Sequence, residues 1–165
     1  MDFEGKVALV TGGGRGIGKA AATKFAEGGA DIVIADIDPH TAKDTAEGLS
    51  ALGVRAVSIS LDIGDIGQIE SMVYEAVSKL GSVDILFNNA GLTRHISFFD
   101  IEEDHWDQIN RVNAKGAFFC MQKIGSQMVK QGTGGRIINT ASIAGKGYRR
   151  ASNAAYAASK GAVIA

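Results

Sequence analysis

A single cysteine, Cys120, and a single proline, Pro39, are all that the 165 residues hold of either type. A lone thiol closes no internal disulfide. That excludes a cross-linked secreted scaffold, and a reducing, cytoplasmic setting is the simplest expectation. Charge of one sign is also missing, since the formal net charge is -1. A chain so balanced has no electrostatic hold on nucleic acid or on a membrane surface. No apolar run approaches the length of a membrane span. The segment Met1-Asp2-Phe3-Glu4-Gly5-Lys6 lacks the basic and apolar regions of a secretory signal. His40, His95 and His105 show no metal-ligand spacing, so no catalytic metal is expected. Internal repeats and low-complexity tracts are absent too.

What is present fits a globular chain. Hydrophobic residues make up 45% and charged residues 21%, ordinary values for a packed domain. The length predicts one domain over residues 1–165. Glycine is the outlier at 22 residues. Several of these glycines punctuate strand-to-helix junctions.

Short apolar runs alternate with segments of helical periodicity. Strands are predicted at Lys6 to Val10, Asp31 to Asp36, Val54 to Leu61, Val83 to Phe87 and Arg136 to Thr140. Helices are predicted at Ile17 to Glu27, Thr41 to Leu52 with Thr41 as N-cap, and Ile66 to Leu80. A long one follows from about His105 to Lys130, and a last one begins near Ala155. Strands apolar throughout are buried on both faces. The pattern predicts an α/β fold with a doubly wound parallel sheet between two helical layers, and a ligand crevice at the carboxyl ends of the strands.

The first junction reads Thr11-Gly12-Gly13-Gly14-Arg15-Gly16-Ile17-Gly18. Its glycines fit G-x-x-x-G-x-G. Glycine there lets the backbone approach a pyrophosphate, and the following helix offers unpaired N–H groups at its positive end. Asp36 ends the second predicted strand, 20 residues past Gly16. A carboxylate at that distance can accept both ribose hydroxyls of an adenosine and would repel a 2′-phosphate. NAD is therefore favoured over NADP. Arg15 could still reach a phosphate, and Asp36 could instead be a turn residue. Asp62 ends the third predicted strand, where it either bonds an adenine edge or caps the turn.

Tyr156 and Lys160 lie one helical turn apart in Tyr156-Ala157-Ala158-Ser159-Lys160, so they share a helix face. A free tyrosine titrates near pH ~10, and a neighbouring ammonium favours the phenolate. The pair can exchange a proton with a substrate hydroxyl while hydride moves to or from a nicotinamide. Ser142, after the fifth predicted strand, can hydrogen-bond the same oxygen.

These motifs together resemble the short-chain dehydrogenase/reductase family, with its Rossmann fold. Asn88-Asn89-Ala90-Gly91 is similar to the family segment after the fourth strand, and Asn113 in Val112-Asn113-Ala114-Lys115-Gly116 matches the family's catalytic asparagine. The resemblance covers the whole chain in the right order. It implies Tyr156 as acid/base and Lys160 as the cation that lowers the Tyr156 pKa and holds the nicotinamide ribose. It implies Ser142 as the group orienting the substrate oxygen and Asn113 as the holder of a water leading from Lys160 to solvent. Read from its own surroundings in sequence, Asn113 would be a polar helix residue with a local bond. The implied cofactor contacts are Gly12, Arg15, Gly16, Ile17, Gly18, Asp36, Asp62, Ile63, Asn89, Ala90, Gly91, Tyr156 and Lys160.

Family members continue well past the lysine, so the chain is expected to be incomplete relative to them, with the fifth strand as an exposed sheet edge. It is then a piece of a longer enzyme, or a shorter form that binds nucleotide or a partner without turnover. Similar chains act on sugars and polyols, small diols, 3-oxoacyl thioesters and hydroxysteroids. NAD preference and a polar loop favour a secondary alcohol such as a small polyol or sugar alcohol. A 3-oxoacyl carrier-protein reductase using NADPH is the enzymatic rival. Arg94, His95, Lys146, Arg149 and Arg150 flank the expected pocket, either as an attraction for an anionic substrate or as a solvated loop. By the same resemblance, the long helix with Phe118 to Met121 and the tyrosine helix imply a homodimer or homotetramer.

Overall fold

The computed structural model describes residues 3–147 and 152–165. Five strands form one wholly parallel sheet: β1 (Val7–Thr11), β2 (Asp31–Asp36), β3 (Ala56–Ser60), β4 (Ile85–Asn88) and β5 (Arg136–Asn139). Their spatial order is β3-β2-β1-β4-β5. The chain starts in the middle, winds outward to β3, then crosses back to β4. The reversal falls between β1 and β4, where a doubly wound sheet opens a crevice.

Both faces of the sheet are covered, which explains why the strands read as apolar without alternation. Val7, Leu9, Val33 and Ala35 pack with α3 (Ile66–Leu80) through Ile69, Met72 and Ala76. On that face they also meet α5 (Ala117–Gln131) through Cys120, Ile124 and Met128. The residues between them, Ala8, Val10, Ile32 and Ile34, face the other way. They pack with α1 (Gly16–Glu27) through Ala22 and Ala26, and with α2 (Pro39–Ser50) through Ala42, Ala46 and Leu49. Burial pushes the Cys120 thiol up to about 12, so it packs as a small apolar group. At the far side of the sheet β5 pairs, among the described residues, with β4 alone, and Ile137 and Ile138 stay 38% and 43% exposed. The fifth strand is the edge that the sequence predicts.

Two elements differ from the sequence expectation. The second helix begins at Pro39, and its cap is Asp38 rather than Thr41. The Asp38 carboxylate accepts the His40 and Thr41 N–H groups at 3.0 and 3.3 Å. Proline suits the first helical position because it has no N–H to leave unpaired. The predicted long helix is interrupted. α4 (Glu103–Asn110) runs into a π-helical turn, Arg111–Gly116, before α5 continues. Wide turns of this kind cluster at functional sites. Here the backbone of Gly116 lies against Ile63, where an added Cβ would stand 2.6 Å from the Ile63 carbonyl oxygen.

Candidate active site

The site is built where β1 and β4 end. Thr11, fully buried, closes β1, and its hydroxyl accepts the N–H groups of Asn89 and Ala90 at 3.0 and 3.1 Å. The Asn89 amide donates to the Thr11 and Gly12 carbonyls at 3.3 Å each. Asn88 donates to the Ala117 carbonyl and to Asn139 Oδ1, both at 3.0 Å. The Asn-Asn-Ala-Gly segment therefore fastens the glycine turn to the end of β4, to α5 and to β5. An added Cβ on Gly12 would stand 2.9 Å from the Ala90 Cα, so two backbones touch there.

α1 starts without a side-chain cap: its N-cap is Arg15 in an extended conformation. By contrast, Asp65 caps α3 and Asn153 caps α6 (Ala154–Ile164). The N–H groups of the first turn of α1 thus lack the side-chain acceptor that α2, α3 and α6 carry. They point their positive end toward a cleft of about 450 Å³, a size typical of small-molecule sites. Gly12, Arg15, Ile17, Asp36, Asp62, Ile63, Asn89, Ala90 and Gly91 all line it. Of the other expected cofactor residues, Gly16 and Gly18 shape the turn behind it, and Tyr156 and Lys160 lie outside its lining. Ile37, Leu92, Arg111 and Val112 also line it, and of these the sequence reading gave Arg111 and Val112 no place in the site.

The two aspartates are held in place. Asp36 accepts the Gly14 N–H through one carboxylate oxygen, at 2.8 Å, and the Asp38 N–H through the other, at 3.1 Å. Asp62 accepts the Gly64 N–H at 2.8 Å, so it does cap its turn, and it pairs with Arg111 Nη1 at 2.7 Å. Each carboxylate keeps further acceptor capacity for a ligand.

Lys160 is buried to 4% exposure, and its ammonium donates to the Thr140 carbonyl at 2.7 Å. The same Nζ lies 5.8 Å from the centre of the Tyr156 ring. Gly91 links this region to the cleft: a Cβ there would stand 3.4 Å from Asn113 Oδ1 and 3.7 Å from Lys160 Nζ. Asn113 is fully buried. Its amide donates to the Leu92 carbonyl at 2.8 Å and to Ser159 Oγ at 3.0 Å, and its oxygen accepts the Leu92 N–H at 2.7 Å. These bonds are long-range rather than local. They occupy both amide hydrogens, leaving one acceptor position on Oδ1. Ser159 Oγ in turn donates to the Tyr156 carbonyl at 2.8 Å. The π-helical turn is thereby tied to the tyrosine helix.

Ser142 caps a 3-10 turn, Ile143–Lys146, by accepting the Ala144 N–H at 3.2 Å. That turn presses on α6 so closely that a Cβ on Gly145 would stand 2.6 Å from the Lys160 carbonyl carbon. Asn113 and Lys160 thus stand behind Gly91 of the cleft, and Ser142 and Tyr156 lie on elements that adjoin theirs. Arg94 is engaged with Gln108 Oε1 at 3.1 Å. Lys146 is exposed, and Arg149 and Arg150 lie outside the described residues. No group of three or more His, Cys, Asp or Glu able to hold a metal occurs among the described residues.

Residues 6–165 match the short chain dehydrogenase family. The chain belongs to that family. Among its curated relatives is the 2-dehydro-3-deoxy-D-gluconate 5-dehydrogenase of Dickeya dadantii (strain 3937), 41% identical over 99% of this chain and 64% of that protein. Another is the sorbitol dehydrogenase of Cereibacter sphaeroides, 40% identical over 99% of this chain and 62% of that protein. A crystal structure of NAD+-bound xylitol dehydrogenase superposes with a TM-score of 0.94 at 36% identity, over 99% of this chain and 63% of the other. This short-chain dehydrogenase chain therefore spans less than two thirds of the length of these relatives.

Within the family fold, burial of Lys160 has a measurable consequence. Desolvation pulls its pKa below the ordinary lysine value of 10.5. Between that lowered value and 10.5 the unfolded chain binds more protons than the folded one, so stability rises with pH there. Relative to Lys160→Met, the unmodified protein is expected to gain stability as pH climbs through this window. Urea titrations at stepped pH check it. A constant difference between the two proteins across the window would contradict it.

Proposed function

We propose that this protein is an NAD-dependent oxidoreductase that interconverts a secondary alcohol and a ketone on a small polyol or sugar alcohol. One observation carries the reading. A cleft floored by Gly12 and Gly91 has an anchored carboxylate, Asp36, on its wall and a buried ammonium, Lys160, behind Gly91. The uncapped start of α1 suits the pyrophosphate, and Asp36 suits two ribose hydroxyls. Ile37, 68% exposed beside it, supplies no cation for a 2′-phosphate.

A nicotinamide supplies the hydride acceptor or donor. The chain's own residues handle the proton. The Tyr156 phenolate takes it from the substrate alcohol and becomes the phenol, which in the reverse direction returns it to the ketone oxygen. Lys160 favours the phenolate by its charge. Ser142, with its hydroxyl hydrogen free of partners among the described residues, donates to the substrate oxygen and fixes its position. Asn113 keeps the tyrosine helix in register through Ser159 and has one acceptor left for a water near Lys160. The polyol class is supported by relatives named for sorbitol and galactitol oxidation and a structural neighbour named for xylitol.

The test is a rate screen of sorbitol, xylitol and galactitol with NAD and with NADP, beside an acetoacetyl thioester with NADPH. Polyol-dependent NADH formation supports the reading, and thioester reduction with NADPH alone would replace it. Asp36→Ala sharpens the cofactor assignment. Loss of bonds from two ribose hydroxyls to a charged acceptor is expected to weaken NADH about 10- to 100-fold. NADPH should weaken far less. Asp36→Asn, which retains an acceptor for the Gly14 N–H, separates loss of ribose bonding from loss of the turn. NADPH binding tighter than NADH in the unmodified protein would overturn the Asp36 argument.

A further inference from the structure

We propose that Arg111 is a positioning residue for the adenosine end of the cleft, acting through Asp62. The proposal rests on the dinucleotide reading above and deepens it. Arg111 opens the π-helical turn, and its Nη1 meets Asp62 Oδ2 at 2.7 Å across 49 residues of sequence. Both side chains line the cleft, beside Leu61, Ile63 and Val112. The other Asp62 oxygen accepts the Gly64 N–H, so the carboxylate is fixed from two directions. One acceptor position on each oxygen is left for a donor such as an exocyclic amine.

The surroundings make room for this pair. A Cβ on Gly64 would stand 2.1 Å from Arg111 Nη1 and 2.6 Å from its guanidinium carbon. Glycine at this position is what lets the guanidinium lie flat over the turn. The side chains of Arg111 and Asp62 remain 44% and 27% exposed. An ion pair so open adds little to global stability. Its effect is local: it orients the Asp62 carboxylate at the adenosine end of the cleft.

Two half-cofactors, AMP and nicotinamide mononucleotide, separate this role from a general one. Each competes against NADH in fluorescence titrations of the unmodified protein, Arg111→Met, Asp62→Asn, the double variant and Gly64→Ala. AMP affinity is expected to fall about tenfold in Arg111→Met and similarly in Asp62→Asn, because each removes a charge-assisted bond. The double variant should be no weaker than the weaker single one, because the residues act as a unit. Gly64→Ala displaces the guanidinium without changing charge and should move AMP the same way. Arg111→Lys should recover part of the loss. Nicotinamide mononucleotide should bind all variants alike.

NADH binding with unchanged AMP affinity in Arg111→Met would overturn this proposal and leave the dinucleotide reading standing. Equal losses of both half-cofactors would overturn it as well, because the change would then be a general disturbance. No binding of NADH or AMP by the unmodified protein would overturn both readings.

Discussion

Tyr156→Phe is expected to abolish alcohol oxidation while leaving NADH binding nearly intact. The effect should be large because the substitution removes the only group assigned to the substrate proton. Removing a general acid/base typically costs about 10²- to 10⁴-fold in turnover. It should also be clean. The hydrogen bonds that seat Tyr156 are made by its backbone: its N–H donates to Asn153 Oδ1 at 2.8 Å, and its carbonyl accepts from Ser159. Phenylalanine keeps both. The phenol oxygen has no partner among the described residues, so its loss strands no buried donor. Paired measurements of kcat/KM and of NADH fluorescence check the result. Unchanged turnover would sink the proton-transfer assignment. Loss of NADH binding in step with turnover would reduce Tyr156 to a structural role.

Gly18→Ala should have the second large effect, on binding and on stability alike. A Cβ at Gly18 would fall 2.0 Å from the Gly12 carbonyl oxygen and 2.9 Å from the Asn89 amide nitrogen. The first neighbour is backbone at the turn itself, so no side chain can swing away. The turn must move off α1, and with it the carbonyls that Asn89 holds. Overpacking of this kind costs about 1–3 kcal/mol. For a chain of this size that is roughly 2–12 °C in melting temperature. The NADH affinity should fall further than stability alone explains, because the displaced turn is the expected pyrophosphate seat. Thermal melts and NADH titrations on one preparation test this. Contrast Gly48, where an added Cβ meets nothing within 4 Å: Gly48→Ala should leave binding unchanged.

Much of this was legible in the sequence because it depends on local pattern. Buried parallel strands need apolar runs, and Val7 to Val10 and Ile32 to Ala35 show them. The glycine turn and the Tyr156-to-Lys160 spacing are contiguous motifs. On the wall opposite, Asp62 and Ile63 were legible but the partner of Asp62 was not. Arg111 and Asp62 meet only after the chain has wound back across the sheet, and nothing within either segment signals the other. The π-helical turn was hidden for a related reason. Its residues carry ordinary helical character, and the extra width is set by what Asn113 and Gly116 touch, namely Leu92, Ser159 and Ile63. Thr11 reads as the first letter of a glycine motif, yet its buried hydroxyl joins the end of the first strand to the segment after the fourth. Asp38 was legible in principle, since an aspartate directly before a proline is a strong helix start. The pull of Thr41 concealed it.

The central claim is that the cleft between β1 and β4 holds a dinucleotide with a free ribose 2′-hydroxyl. Parallel fluorescence titrations of the purified protein with NADH and NADPH test it most directly. The account predicts saturable NADH binding, clearly tighter than NADPH, that Asp36→Ala weakens. Absence of saturable binding, or a preference for NADPH, would contradict it.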